Sequence, residues 1–221
     1  MPRRATPTLL LTRPEADSRR FAAMLPDLPH VISPILRILP VAHDAARLAS
    51  AEALVFTSQH AIAIAGPGRG RTAFCVGPRT AALAREAGYA VIEGPGDAER
   101  LQPMLEASDL PLLHPHGRHV ARELPVAGMV VYDQLPLPLN ARALELLAGA
   151  APVILPLFSP RSARLLAVEA AGSAAPVWLA AISGAALAAW QGPFEQGEIA
   201  PTPDARGLAA AIGRLTGGEL S

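Results

Sequence analysis

The chain has 221 residues, 51% of them hydrophobic and only 4% aromatic, and its 19 basic side chains are matched by 19 acidic ones for a formal net charge of zero. That length and apolar content suit one large or two small folded domains and exclude a disordered chain. The charge balance excludes a dedicated nucleic-acid binder, which carries a basic surplus, while leaving room for a local cluster of arginines. Cys75 is the only cysteine, so no internal disulfide is expected, and its place in TAFCVG reads as a buried, inert thiol. The apolar run after Arg3 and Arg4 stops at Arg13, too short for the core of a signal peptide. The uncharged stretch 172–194 approaches membrane-spanning length, but Pro176 and the Ser183-Gly184 pair divide it. It reads instead as a buried strand followed by a helix of small residues. A soluble, cytoplasmic protein without a membrane partner is expected.

Along the chain, residues 8–12 (TLLLT) read as a buried strand and 15–25 as a helix with Phe21, Met24 and Leu25 on one face. Residues 30–40 are extended and broken by Pro34 and Pro40. Residues 52–58 form a strand, followed by a short helix in QHAIAIAG. GPGRGR, at 66–71, reads as a surface turn. Residues 71–77 form the next strand, and 78–88 a helix that opens with proline and closes with glycine. Residues 89–96 are a strand and turn, and 97–105 a helix capped by Asp97.

The order then recurs. Residues 111–125 repeat the opening strand and helix, 128–138 the extended proline-broken segment, and 151–159 the strand 52–58. VWLAAISG and AALAAW answer FCVG and PRTAALA, and 203–212 answers GDAERLQPML. Pairing Ser58 with Ser159, Gly77 with Ser183 and Asp97 with Asp204 gives offsets of roughly 101 to 107 residues, too long for a solenoid. The expected fold class is α/β, with two similar three-layer domains, each a parallel sheet covered by helices on both faces. Ligands of such sheets bind beyond the carboxyl ends of the strands. Here those ends carry TRP, FTS, CVG, FSP and ISG. Two such domains facing each other would make a cleft lined by backbone N–H groups and small hydroxyls.

No dinucleotide fingerprint, P-loop, CxxC, HExxH or GxSxG is present, which counts against a nucleotide-binding enzyme or a serine hydrolase. His114, His116 and His119 lack carboxylate or cysteine partners nearby in the sequence, so no metal site is read there. Thr57, Ser58, Thr80, Ser159 and Ser162 stand at expected helix starts, where N-capping alone selects hydroxyls. As a set they also suit a multi-point anion receptor, because helix N-termini offer N–H donors and a positive dipole end. Thr12-Arg13-Pro14 closes the first strand in the same way, with Arg13 either a ligand contact or a hinge or interdomain ion-pair residue. Tyr132, one of two tyrosines, lies in an extended segment and reads either as a packing residue or as a proton donor in a cleft.

The ordered set LLLTRPEADSRRFAAML, ALVFTSQHAI, CVGPRTAALAREAG, GMVVYDQLP, FSPRSARLL, AAISGAALAA and IAPTPDARGLAAAI resembles the uroporphyrinogen-III synthase family over nearly the whole chain. The resemblance implies that the duplication is partly swapped: 1–33 with 137–221 form one discontinuous domain, 38–128 the second, and 34–37 and 129–136 are extended linker strands. It implies a cofactor-independent lyase that closes hydroxymethylbilane into uroporphyrinogen III, inverting ring D and losing water. Catalysis of that kind is mainly positioning and electrostatic complementarity. By motif, Tyr132 matches the family's tyrosine, proposed to assist loss of the hydroxyl. Thr12, Arg13, Pro14, Thr57, Ser58, Gly77, Thr80, Ser159, Ser162, Ser183 and Gly184 are the implied substrate contacts. A monomer that meets only its tetrapyrrole substrate and, transiently, the upstream deaminase is implied. One departure stands out: where the family has an IGPxT-like turn this chain has ISGAA, with Ser183 for the glycine and Ala186 for the threonine. The alternative is therefore a non-catalytic two-domain module that binds a tetrapyrrole or a small anion.

Overall fold

Short apolar runs supply the strands and small-residue amphipathic segments the helices. The computed structural model describes residues 6–120 and 122–217. In chain order it contains β1 (Thr8–Leu11), α1 (Glu15–Ala22), β2 (His30–Ile32), β3 (Leu36–Pro40), α2 (Ala45–Ser50), β4 (Ala53–Phe56), α3 (Gln59–Ala65), β5 (Thr72–Cys75), α4 (Pro78–Glu86) and β6 (Ala90–Glu93). There follow α5 (Ala98–Glu106), β7 (Leu112–Gly117), β8 (Ala127–Pro136), α6 (Ala141–Leu147), β9 (Val153–Leu157), α7 (Pro160–Glu169), β10 (Val177–Ala181), α8 (Gly184–Ala188), β11 (Gln196–Ile199) and α9 (Ala205–Thr216). The chain divides into two units, one made of the residues through Arg37 and from Pro136 onward, the other of Ile38–Leu135. It passes from the first to the second in β3 and returns in β8.

In unit 1 the sheet order is β11-β10-β9-β1-β2, and every pairing is parallel. The period-2 alternation of strand side chains assigns each face its own core. Leu10, Leu155, Leu157, Leu179 and Ala181 pack against α6, α7 and α8. Leu9, Leu11, Ile154, Trp178 and Ala180 pack against α1 and α9. Both faces are covered, so these strands read as continuous apolar runs. β1 sits between β2 and β9, with Leu9 opposite His30 on one side and Ile154 on the other.

Unit 2 has the order β3-β8-β7-β4-β5-β6. Leu54, Phe56, Ala73 and Cys75 join α3 and α4 on one face, while Val55 and Phe74 meet Leu101 and Leu105 of α5 on the other. The two units share their capping plan. Ser58 and Ser159 cap α3 and α7, and Asp97 and Asp204 cap α5 and α9, each side chain accepting a hydrogen bond from a first-turn N–H. Those N–H bonds hold the Asp97 and Asp204 carboxyls below the ordinary carboxylate range. The stretch 172–194 supplies β10 and α8, and no helix among the described residues is long and apolar enough to cross a membrane.

Three local expectations are corrected. No helix lies between β7 and β8 among the described residues, where 111–125 were expected to repeat a strand and a helix. The Arg118 N–H donates to the Tyr132 carbonyl at 2.9 Å, and the Arg118 and His119 side chains both reach Asp133, so this segment continues strand pairing. Met24 is not on the buried helix face, because α1 ends at Ala22 and leaves Met24 exposed. GPGRGR is more than a surface turn. Arg71 donates to the carbonyls of Leu48, Ala49 and Ala51 at the end of α2 and to the Tyr89 hydroxyl, and a Cβ on Gly68 would collide with Tyr89. Three short elements had no clear pattern in the sequence: α2, α6 and β11.

Candidate functional site

At the carboxyl ends of β1, β9 and β10, unit 1 carries a pocket of about 290 Å³ lined by Thr12, Arg13 and Pro14 after β1, Phe158, Ser159 and Ser162 after β9, and Ile182 after β10. Two helices of at least eight residues, α1 and α7, begin at its edge. Their first-turn N–H groups and positive dipole ends favour an anion there. Ser159 accepts from the Ser162 N–H at 3.1 Å, and the two hydroxyls lie 2.9 Å apart. Thr12 is buried. Arg13 reaches Asp17 at 3.2 Å, and its guanidinium lies 4.6 Å from the centroid of the Phe158 ring. Arg13 thus pairs locally with Asp17, in the first turn of α1. Ser183 and Gly184 stand at the end of β10 but do not line this pocket. Ser183 caps α8 by accepting from the Ala186 N–H at 3.2 Å, and Ala186 is buried.

Unit 2 brings Ser58, Tyr132 and His60 together. Tyr132 is 3% exposed, its ring meets His60 edge-on at 5.9 Å, and a Cβ on Gly117 would run into that ring and come 3.0 Å from the phenol oxygen. Gly117 is therefore required by the close approach of the tyrosine. Burial raises the Tyr132 pKa above its ordinary value, while hydrogen bonds with the Ser58 side chain and the Gly117 backbone pull it down. The phenol stays protonated at neutral pH, as a proton donor must. On β7, one residue type out of place is a buried histidine: His114 is 4% exposed and its Nε2 lies 2.9 Å from the Thr57 hydroxyl. Desolvation, with the charge of neighbouring His116 second, lowers the His114 pKa to about 4. Gly77 approaches Gly96 so closely that a Cβ would come to 3.1 Å, and Thr80 is buried in the first turn of α4.

The hydroxyls are marked by their positions after the strands, whereas their supports are not. Asp17, Phe158 and the Thr57–His114 contact carry no local signature, because Asp17 looks like an exposed helical charge and His114 is 57 residues from its partner. The only available signals are weak: an acidic residue four after Arg13, and a lone histidine within an apolar strand. Among the described residues no group of three or more histidine, cysteine, aspartate or glutamate side chains is arranged to hold a metal ion.

A family model described as uroporphyrinogen-III synthase HemD matches residues 29–221. The chain belongs to the uroporphyrinogen-III synthase family. Its fold is similar to that of the uroporphyrinogen-III synthetase of Helicobacter pylori, at 12% identity and a TM-score of 0.62, covering 95% of this chain and 99% of that one. It is also similar to a mutant uroporphyrinogen III synthase of Thermus thermophilus, at 14% identity and a TM-score of 0.51, covering 94% and 98%. No curated protein matches the chain. Membership makes this chain a cyclising lyase of tetrapyrrole biosynthesis, which closes hydroxymethylbilane into uroporphyrinogen III with inversion of ring D and loss of water. Nothing in these likenesses supports a non-catalytic binding module.

Proposed function

We propose that this uroporphyrinogen-III synthase works by holding carboxylate arms at the carboxyl ends of its strands while Tyr132 supplies the proton for the departing hydroxyl. The observation that carries the first part is the unit 1 pocket, where Thr12, Arg13, Ser159 and Ser162 line one concavity at two helix starts. A cation, hydroxyls and helix N-termini are the groups that recognise a carboxylate. In unit 2, Thr57, Ser58 and Gly77 follow the corresponding strands and Thr80 lies in the first turn of α4, while in unit 1 Ser183 and Gly184 offer further contacts beyond β10, outside that pocket. The reacting pyrroles expel the terminal hydroxyl themselves, so the protein need only protonate it and steer attack to the substituted carbon of ring D. The hydroxyl leaves as water with one added proton, and ring D returns a proton when the macrocycle regains its aromatic pyrroles. Tyr132 is covered, so its proton leaves by way of Ser58, which is half-buried. The chain acts as a cytoplasmic monomer that takes the reactive bilane from the upstream deaminase in a transient encounter, without a cofactor.

Freshly prepared hydroxymethylbilane with separation of the product isomers tests the reading. Type III product above the spontaneous background is expected; type I alone, at the spontaneous rate, overturns it. Tyr132→Phe should lower kcat by about 100-fold, the low end for a general acid, with a single cooperative unfolding transition retained. An unchanged kcat removes the chemical role of the phenol.

A further inference from the structure

The geometry points to Asp17 as a positioning residue that fixes Arg13 at the wall of the unit 1 pocket to receive a carboxylate arm of the substrate; this rests on the reading of that pocket given above. Asp17 is 4% exposed, although it belongs to the first turn of a helix whose neighbours Glu15 and Arg19 are exposed. Carboxylates are almost never buried unless paired. Here both oxygens are paired: one meets Arg13 Nη2 at 3.2 Å and the other meets Arg20. Arg20 shares the Asp17 charge, so Arg13 is not the only guanidinium neutralising that carboxylate. The second restraint on Arg13 is the Phe158 ring beneath its guanidinium. That ring is itself fixed by an edge-on contact with Phe21, 5.0 Å away on α1. Ser18 closes the arrangement by donating to the Arg13 carbonyl at 2.9 Å. Arg13 is thus held by a carboxylate on one side and an aromatic face on the other, and it is this restrained guanidinium, with Ser159 and Ser162, that lines the pocket. An arginine with its rotamer already chosen binds a carboxylate with less loss of side-chain freedom than one free in solvent.

Steady-state kinetics with hydroxymethylbilane, together with the affinity for uroporphyrin III as a stable eight-carboxylate probe, test this on the full chain. Arg13→Gln should raise KM and weaken probe binding about tenfold, the cost of one charge-assisted contact. Asp17→Asn, which keeps the size and removes the charge, should raise KM and weaken probe binding by about three- to tenfold with kcat nearly unchanged. Combined with Arg13→Gln it should add nothing further. A merely structural Asp17 would change KM equally with and without Arg13, and that result overturns the inference. If Asp17→Asn does not fold, Phe158→Leu decides: a raised KM that vanishes in the Arg13→Gln background supports the arrangement, and an unchanged KM sinks it. Wild-type KM for Arg13→Gln removes the pocket itself from substrate binding. A raised KM for Arg13→Gln beside wild-type KM for Asp17→Asn removes only the role of Asp17.

Discussion

At the scale of single residues, the fold has dehydrated polar groups at and near the strand ends, among them Thr12, Thr80 and His114. His114 makes the point in thermodynamic terms. Its pKa falls from an ordinary 6.5 to about 4 in the folded chain, so between those values the unfolded chain binds more protons than the folded one. Stability therefore rises with pH across that window, is complete above about 6.5, and is lost as pH falls toward 4. Lowering the pH from 7.5 to 5 should cost about 2 kcal/mol from this group alone. Urea unfolding of His114→Gln, which keeps a polar group near Thr57 but does not titrate, should show that much less pH dependence than the parent. Equal slopes would mean that His114 is not held neutral by burial. Cys75 is the apolar counterpart: burial raises its thiol to about 11, so a thiolate is scarce at neutral pH. Alkylation by iodoacetamide should follow unfolding, and rapid labelling of the native chain would contradict the packing seen around it.

At the scale of elements, caps and close approaches decide where helices begin. Gly207 in α9 shows propensity being overruled. Glycine in a helix interior costs about 1 kcal/mol against alanine, so Gly207→Ala should stabilise on propensity alone. A Cβ at Gly207 would instead fall onto the Thr202 carbonyl and hydroxyl. We expect Gly207→Ala to lower stability by about 1–3 kcal/mol, the usual cost of overpacking; a raised melting temperature would contradict the contact. Much of this level was legible beforehand. Alternating apolar runs and Ser, Asp or Pro at helix starts located β1, β4, β5, β9 and β10 and the caps at Ser58, Asp97, Ser159 and Asp204. The helix expected within 111–125 is not seen among the described residues, where Arg118 finds a backbone partner across in β8, a long-range hydrogen bond that no local pattern announces. The helices α2 and α6 are only six and seven residues long, too short for periodicity to register. In the candidate site the hydroxyls were legible from their strand-end positions, whereas Asp17 and His114 were not, since burial is a property of the packed chain.

At the scale of the whole molecule, the partition of strands between units matters more than their number. The family match starts at residue 29, after β1 and α1. Yet Leu9, Leu10 and Leu11 of β1 are at most 1% exposed, and they occupy the slot between β2 and β9. A chain beginning at residue 29 would leave that slot empty and expose two faces of apolar side chains. We expect such a truncation to lack a cooperative unfolding transition by circular dichroism or to be recovered only as aggregate; a stable folded product would show that β9 and β2 can close without it. The duplication was visible in repeated motifs, but the assignment of β1 to the far end of the chain rested on family likeness, because periodicity describes neighbours along the sequence and not partners in a sheet.

The placement of β1 also bears on how the protein is made. Leu9 leaves the ribosome long before Ile154, its partner across the sheet, and the whole of Ile38–Leu135 is translated in between. Ile154 follows Leu9 by 145 residues, so at about 5–20 residues per second that delay is roughly 7 to 29 s. During it β1 has only the three-residue β2 beside it, so a leucine-rich edge waits half-paired while an entire second unit forms. Nascent chains of this enzyme should engage holding chaperones at that stage, and synthesis, more than equilibrium stability, is where substitutions in TLLL will be felt first.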